Sequence, residues 1–135
     1  MPLVSKGTVM RINEHEWELV EGLNLPYQED ENSTHAQSRQ ARAVPQVTKV
    51  AELEGATVVR LSFRAGDTMA NHKAPRPILV LGQTGSVTFT IGDADAGEPV
   101  DELELAPGKA VHVDEGKIHA LHADAPAVVT LLILG

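Results

Sequence analysis

The stretch Gly66-Asp67-Thr68-Met69-Ala70-Asn71-His72-Lys73-Ala74-Pro75-Arg76-Pro77-Ile78, which runs on to Gly85, decides the reading of the fold. It begins and ends on glycine, carries one histidine with Lys73 and Arg76 close by, and closes on the apolar run Ile78-Leu79-Val80-Leu81. On both sides of it the chain reads as short strands parted by turn residues. Upstream, Val59, Leu61 and Phe63 alternate with Arg60, Ser62 and Arg64, which predicts a strand with one buried face. Residues 47–53 and 56–64 around Glu54-Gly55 predict a hairpin. Downstream, Val87, Phe89 and Ile91 alternate with Ser86, Thr88 and Thr90. A loop over residues 92–99 follows, then alternating Leu103 and Leu105, a turn at Pro107-Gly108, and Val111-His112-Val113. Glu115-Gly116 turns the chain again before strands over 118–122 and 128–134. Strands this short and this evenly punctuated predict an all-β sandwich or barrel, not a parallel α/β sheet.

The chain divides at about residue 43 into an irregular arm, 1–43, and a barrel domain, 44–135. The arm holds seven acidic residues between Glu14 and Glu31, and residues 28–40 contain no apolar side chain larger than Ala36. Such a stretch buries too little surface to offset its ordering entropy, so it reads as a surface segment. Within it, His15, Trp17 and Leu19 alternate with Glu14, Glu16 and Glu18, which predicts one half-buried strand anchored by Trp17. That strand is expected to pack on the barrel or on a partner subunit.

Composition removes several classes of chemistry. At 135 residues the chain suits one domain. With no cysteine there is no disulfide framework, thiolate metal site or cysteine nucleophile. A net charge of −8 argues against nucleic acid and against anionic membrane surfaces as partners. The most apolar stretch, residues 125–134, is about half of what a membrane-spanning helix needs, and the N-terminus lacks a signal-peptide core. A cytoplasmic protein is expected. No phosphate loop, dinucleotide fingerprint or nucleophile elbow is present.

In its glycine and histidine spacings the barrel region resembles the small single-domain cupins (RmlC-like and cupin-2 proteins). Gly66 is followed after five residues by His72 and, further on, by Gly85; Gly108, Gly116 and His119 match the second cupin motif without a gap. The resemblance implies a double-stranded β-helix, the cupin jelly-roll barrel, over about residues 61–134. All four motif glycines stand, and they serve turns. The departures fall on the chemistry. Where the family's first motif has a second histidine and a glutamate, this chain has Ala74 and Ile78, and Asp114 and Ala123 stand at the proline and asparagine of the second motif. Carried over residue by residue, only His72 and His119 remain as metal ligands, a degenerate site.

On a strand of unbroken register, positions 72, 74 and 78 share one face, although Pro75 and Pro77 interrupt a regular ladder. His119 and Leu121 are expected to face inward, with His122 opposite. Phe63, Val80, Val87 and Phe89 line or back the cavity, and Lys73 and Arg76 stand at its rim, where they meet an anionic group of a ligand. Three functions compete. The first is a binding module for a small molecule at His72, His119, Lys73 and Arg76, with no cofactor. The second is a metal-dependent dioxygenase or isomerase in which a divalent transition metal such as Zn, Fe, Mn or Ni sits on His72 and His119 plus a further ligand, with Asp67, Asp114 and His122 as candidates. The third is metal-free acid–base catalysis, as in cupin sugar epimerases, which requires a carboxylate on one of the two rings. The first is ranked highest, and a homodimer is expected, formed through exposed sheet edges or the segment around Trp17.

Overall fold

A computed structural model describes residues 16–29 and 42–135. The described residues form nine antiparallel strands: β1 (Gln46–Leu53), β2 (Ala56–Phe63), β3 (Thr68–His72), β4 (Ile78–Thr84), β5 (Val87–Ile91), β6 (Asp101–Leu105), β7 (Ala110–Val113), β8 (His119–His122) and β9 (Ala127–Leu134). They build two facing sheets, ordered β1-β2-β9-β4-β7 and β3-β8-β5-β6. Period-2 alternation sorts the side chains. Val59, Leu61, Phe63, Ile78, Val80, Val113 and Val129 from the first sheet meet Val87, Phe89, Leu105 and Leu121 from the second in one apolar core. The four motif glycines, Gly66, Gly85, Gly108 and Gly116, all have positive φ, between 64° and 92°, as turn positions that favour glycine require.

Two features depart from the sequence reading. Residues 16–19 form no strand, and Trp17 is 66% exposed rather than a buried anchor; Glu14 and His15 lie outside the described residues. The arm is instead held a few residues later, by side chains of β1 and β2. Arg60 Nη1 and Ser62 Oγ donate to the carbonyls of Gly22 and Leu25, each at 2.8 Å. Gln28 and Gln46 bond reciprocally, and the Arg64 guanidinium lies 4.3 Å from the Tyr27 ring centroid. This cover explains the second departure. The outward polar residues of β2, expected in solvent, are buried: Arg60 is 8% exposed and Ser62 is not exposed at all. Irregular backbone carries carbonyls that need donors, and β2 supplies them.

The corner from β2 into β3 is closed by Asp67. Its carboxylate accepts from Arg64 N at 2.7 Å, Arg64 Nε at 3.0 Å and Arg64 Nη2 at 3.1 Å. Its own carbonyl accepts from Ala123 N, while Gly66 N donates to Ala123 O. At 2% exposed, Asp67 is a structural carboxylate rather than a surface turn residue. Truncating it leaves the Arg64 amide without this acceptor and takes two hydrogen bonds from the guanidinium. Asp67→Ala is therefore expected to lower stability by about 2–4 kcal/mol, and Asp67→Asn by less because its amide oxygen still accepts from Arg64 N. Urea unfolding with an unchanged slope checks this ordering.

Candidate functional site

β3 and β8 carry the two motif histidines. The strands start in ordinary register, with Thr68 opposite His122 and Met69 opposite Leu121, and the register then shifts so that His72 pairs with His119. By strict alternation His72 would face outward with Thr68. The bulge between Met69 and His72 turns it inward, as bulges beside functional sites do. The sequence-predicted register across 72–78 is therefore not continuous, since β3 ends at His72 and β4 begins at Ile78. Ala74 and Ile78 nonetheless pack against the same core. The interruption falls at Pro75 and Pro77, which cannot donate to a ladder.

The two imidazoles meet inside the barrel with ring centroids 4.2 Å apart and planes 64° apart. His119 is 3% exposed, and its ring lies parallel to Phe89 at 5.7 Å between centroids. Each histidine is held the same way. His72 Nδ1 bonds Ala70 O at 2.7 Å, and His119 Nδ1 bonds Lys117 O at 3.0 Å. A carbonyl can only accept, so Nδ1 is the donor in both rings, and a neutral imidazole then keeps its lone pair on Nε2. His119 is such a ring. Burial pushes its pKa below the ordinary 6.5 and the neighbouring His72 adds to this, while the Lys117 carbonyl pulls the other way.

The surroundings are aliphatic. Met69, Ile91, Leu103, Val111, Leu131 and Ile133 belong to the core yet keep partial exposure, so the barrel is open to solvent along these positions. Phe63, Val80, Val87 and Phe89 are all buried. A cavity of about 380 Å³ lies between the β3–β4 loop and the β7–β8 turn, lined by Lys73, Ala74, Pro75, Glu115 and Gly116. A hydrogen bond from Gly116 N to Ala74 O ties the two loops together. Neither histidine is among the residues that line this cavity; Lys73, the residue after His72, borders it, whereas Arg76 reaches to the C-terminal Gly135.

None of the candidate third ligands joins the pair. Asp67 is engaged by Arg64, Asp114 is 90% exposed beside His112, and His122 lies on the outer face of the sheet. Among the described residues no three His, Cys, Asp or Glu side chains group together as a metal site. Two imidazoles are fewer donors than a zinc site of three ligands or an iron site of two histidines and a carboxylate needs. The residues present do not fit a firmly held divalent metal. Among the described residues no carboxylate bonds either ring of the pair, the condition set for acid–base catalysis; both Nδ1 atoms go to main-chain carbonyls. Alternation points Phe89 and His119 inward, but their stacking follows from the pairing of β5 with β8, which the sequence does not state. The partners of Asp67 and His122 were not, because they depend on which loops meet.

No sequence-family profile matches the chain, and no curated protein matches it in sequence. Solved structures do match. A cupin superfamily protein from Desulfitobacterium hafniense aligns with a TM-score of 0.57 at 19% identity, over 67% of this chain and 76% of that one. A double-stranded β-helix protein from Klebsiella pneumoniae aligns with a TM-score of 0.58 at 16% identity, over 80% and 83%. An oxalate oxidase in complex with the substrate analogue glycolate aligns with a TM-score of 0.58 at 19% identity, over 67% of this chain and 51% of that one. The chain has the cupin fold, a double-stranded β-helix.

The buried imidazole has a consequence for stability. A folded-state pKa below the unfolded value means that the unfolded chain binds the extra proton, so His119 opposes folding as it becomes protonated. Stability is fully retained above about pH 6.5 and declines as pH falls below it. In His119→Gln this component is absent, so the stability gap between wild type and variant narrows as pH falls from 7 to 5 in urea titrations.

Proposed function

We propose that this barrel binds a small molecule through the Nε2 atoms of His72 and His119, with Lys73 at the adjoining opening, and does so without a tightly held metal. The observation that carries the reading is the paired anchoring of the rings. Both Nδ1 atoms are committed to backbone carbonyls, which fixes both ring orientations and leaves Nε2 for a ligand. Pre-set polar groups in an aliphatic cavity are the general form of a small-molecule site. His119, neutral at pH 7, accepts a hydrogen bond there, and Lys73 favours an anionic group at the rim. A small hydroxy acid offers both, a hydroxyl for His119 and a carboxylate for Lys73. Glycolate, found with the oxalate oxidase neighbour, is the natural first probe of that class.

Calorimetry with glycolate and, separately, with Zn²⁺ and Mn²⁺ tests the reading. Glycolate is expected to bind wild type, with a loss of about two- to ten-fold in His119→Ala and His72→Ala, since a hydrogen bond between neutral groups is worth about 0.5–1.5 kcal/mol. Lys73→Ala is expected to lose a few-fold, with the loss shrinking in salt. Stoichiometric metal binding at micromolar affinity or better would overturn the metal-free reading.

We place the protein in the cytoplasm as a homodimer. Among the described residues no helix is long and apolar enough to cross a membrane. In support of pairing, Leu79 and Leu132 are cross-strand partners on the outer face of the five-stranded sheet, each only partly covered. Light scattering is expected to give twice the chain mass for wild type and a shift to monomer for Leu132→Glu; a monomeric wild type would refute it.

A further inference from the structure

The outer face of the four-stranded sheet holds a second cavity, on the opposite side of the same strands that carry His72 and His119 inward. It measures about 290 Å³ and is lined by Thr68, Thr88, Thr90, Glu102, Ala120 and His122, with the main chain of Leu121 between them. Its origin is legible strand by strand. Thr68, His122 and Thr88 form one row across β3, β8 and β5, and Ala120, Thr90 and Glu102 form the next across β8, β5 and β6. Ala120 is the smallest side chain in these rows, so a hollow opens above it.

Three of the polar walls, Thr68, His122 and Thr90, are oriented by hydrogen bonds, and the hollow is faced mainly with acceptors. His122 is held at both ring nitrogens, Nδ1 by Thr68 Oγ1 at 2.6 Å and Nε2 by Asp124 Oδ1 at 3.0 Å. The carboxylate can only accept, so in the neutral ring Nε2 carries the proton and Nδ1 receives the Thr68 hydroxyl. The Thr90 hydroxyl is turned toward Ala120 O at 3.5 Å. The Thr68 and Thr90 hydroxyl protons are thus turned to His122 and the main chain, which leaves their lone pairs to a ligand; the Thr88 hydroxyl can accept as well as donate, and the Glu102 carboxylate only accepts. The charge agrees. Strands β3, β5, β6 and β8 contain no lysine or arginine, while β6 carries Asp101, Glu102 and Glu104.

We propose that this hollow is a binding site for a small aliphatic amine, with the ammonium on Glu102 and the threonine oxygens and the alkyl chain over Ala120. An ammonium has three donors and no acceptor, which complements a wall of acceptors around one carboxylate. Anions are repelled by Glu102, Glu104 and Asp124. The site is independent of the histidine pair inside the barrel, so the two readings stand or fall separately.

The test is a two-dimensional amide NMR titration of the full chain with n-butylammonium chloride at constant ionic strength. Saturable shifts confined to Thr88, Thr90, Ala120, Leu121 and His122 are expected. Glu102→Gln is expected to weaken binding about ten-fold, and Ala120→Val, which fills the hollow while keeping every charge, to abolish it. Glu104→Gln removes the same charge from the next outward position of β6 and is expected to change affinity less than about two-fold. His72→Ala is expected to leave the titration unchanged. Equal losses in Glu102→Gln and Glu104→Gln would overturn the site, since they report only the general field. So would equal shifts with sodium chloride, no localised shifts at all, or saturable binding of glycerol in place of the amine.

Discussion

The arrangement of the barrel turns on one buried carboxylate. Asp67 receives three donors from Arg64, one from the main chain and two from the guanidinium, and so closes the corner between β2 and β3. Because its carbonyl also binds Ala123 N, the corner is locked to the far end of β8. That lock sets Thr68 opposite His122. Everything further along β3 inherits this register, including the bulge that swings His72 to the inside. A corner held by hydrogen bonds of this kind constrains direction as well as distance, which apolar packing alone does not. The same guanidinium covers Tyr27, so the corner also helps hold the arm.

The strands and their faces were legible because alternation is a local property. Val59, Leu61 and Phe63, or Val87 and Phe89, declare their inward side without reference to any other part of the chain. The turn glycines were legible for the same reason, since positive φ is a demand of a few adjacent residues. What escaped the sequence was set by non-local meetings. Arg60 and Ser62 look like solvent residues until Gly22 and Leu25 are laid over them. His122 faces outward as the sequence predicts, but nothing in the sequence signals that Thr68 and Asp124 take its two nitrogens. Trp17 reads as a buried anchor because tryptophan usually buries, but it is 66% exposed, and the carbonyls of Gly22 and Leu25 together with Gln28 tie the segment to β1 and β2.

Within the candidate site the pattern of what is kept and what is replaced has a physical logic. The inward histidines survive with their orientation fixed by carbonyls two residues back, a form of support that needs no other side chain. The positions that would complete a metal shell are filled by carbon. Burial next to Phe89 then favours the uncharged form of His119. A neutral ring with one bare nitrogen in an aliphatic surround is suited to accept a hydrogen bond, and this makes ligand recognition the simplest use of the pair.

Ile78 shows why restoring a carboxylate there is not a simple repair. It is 2% exposed and pairs with Val113 on one side and Ile133 on the other, so β4 is joined to both neighbours through aliphatic contact at this point. A glutamate in its place would have to bury a charge among these side chains, or take up a proton and lose its value as a ligand. Only a cation shared with the two histidines would offset that cost, and with Ile78 in place the histidines alone are too few to hold one. The donor set and the core are thus coupled through one residue. With Ile78 the position serves the core, and a carboxylate there would serve a metal only at the expense of that packing.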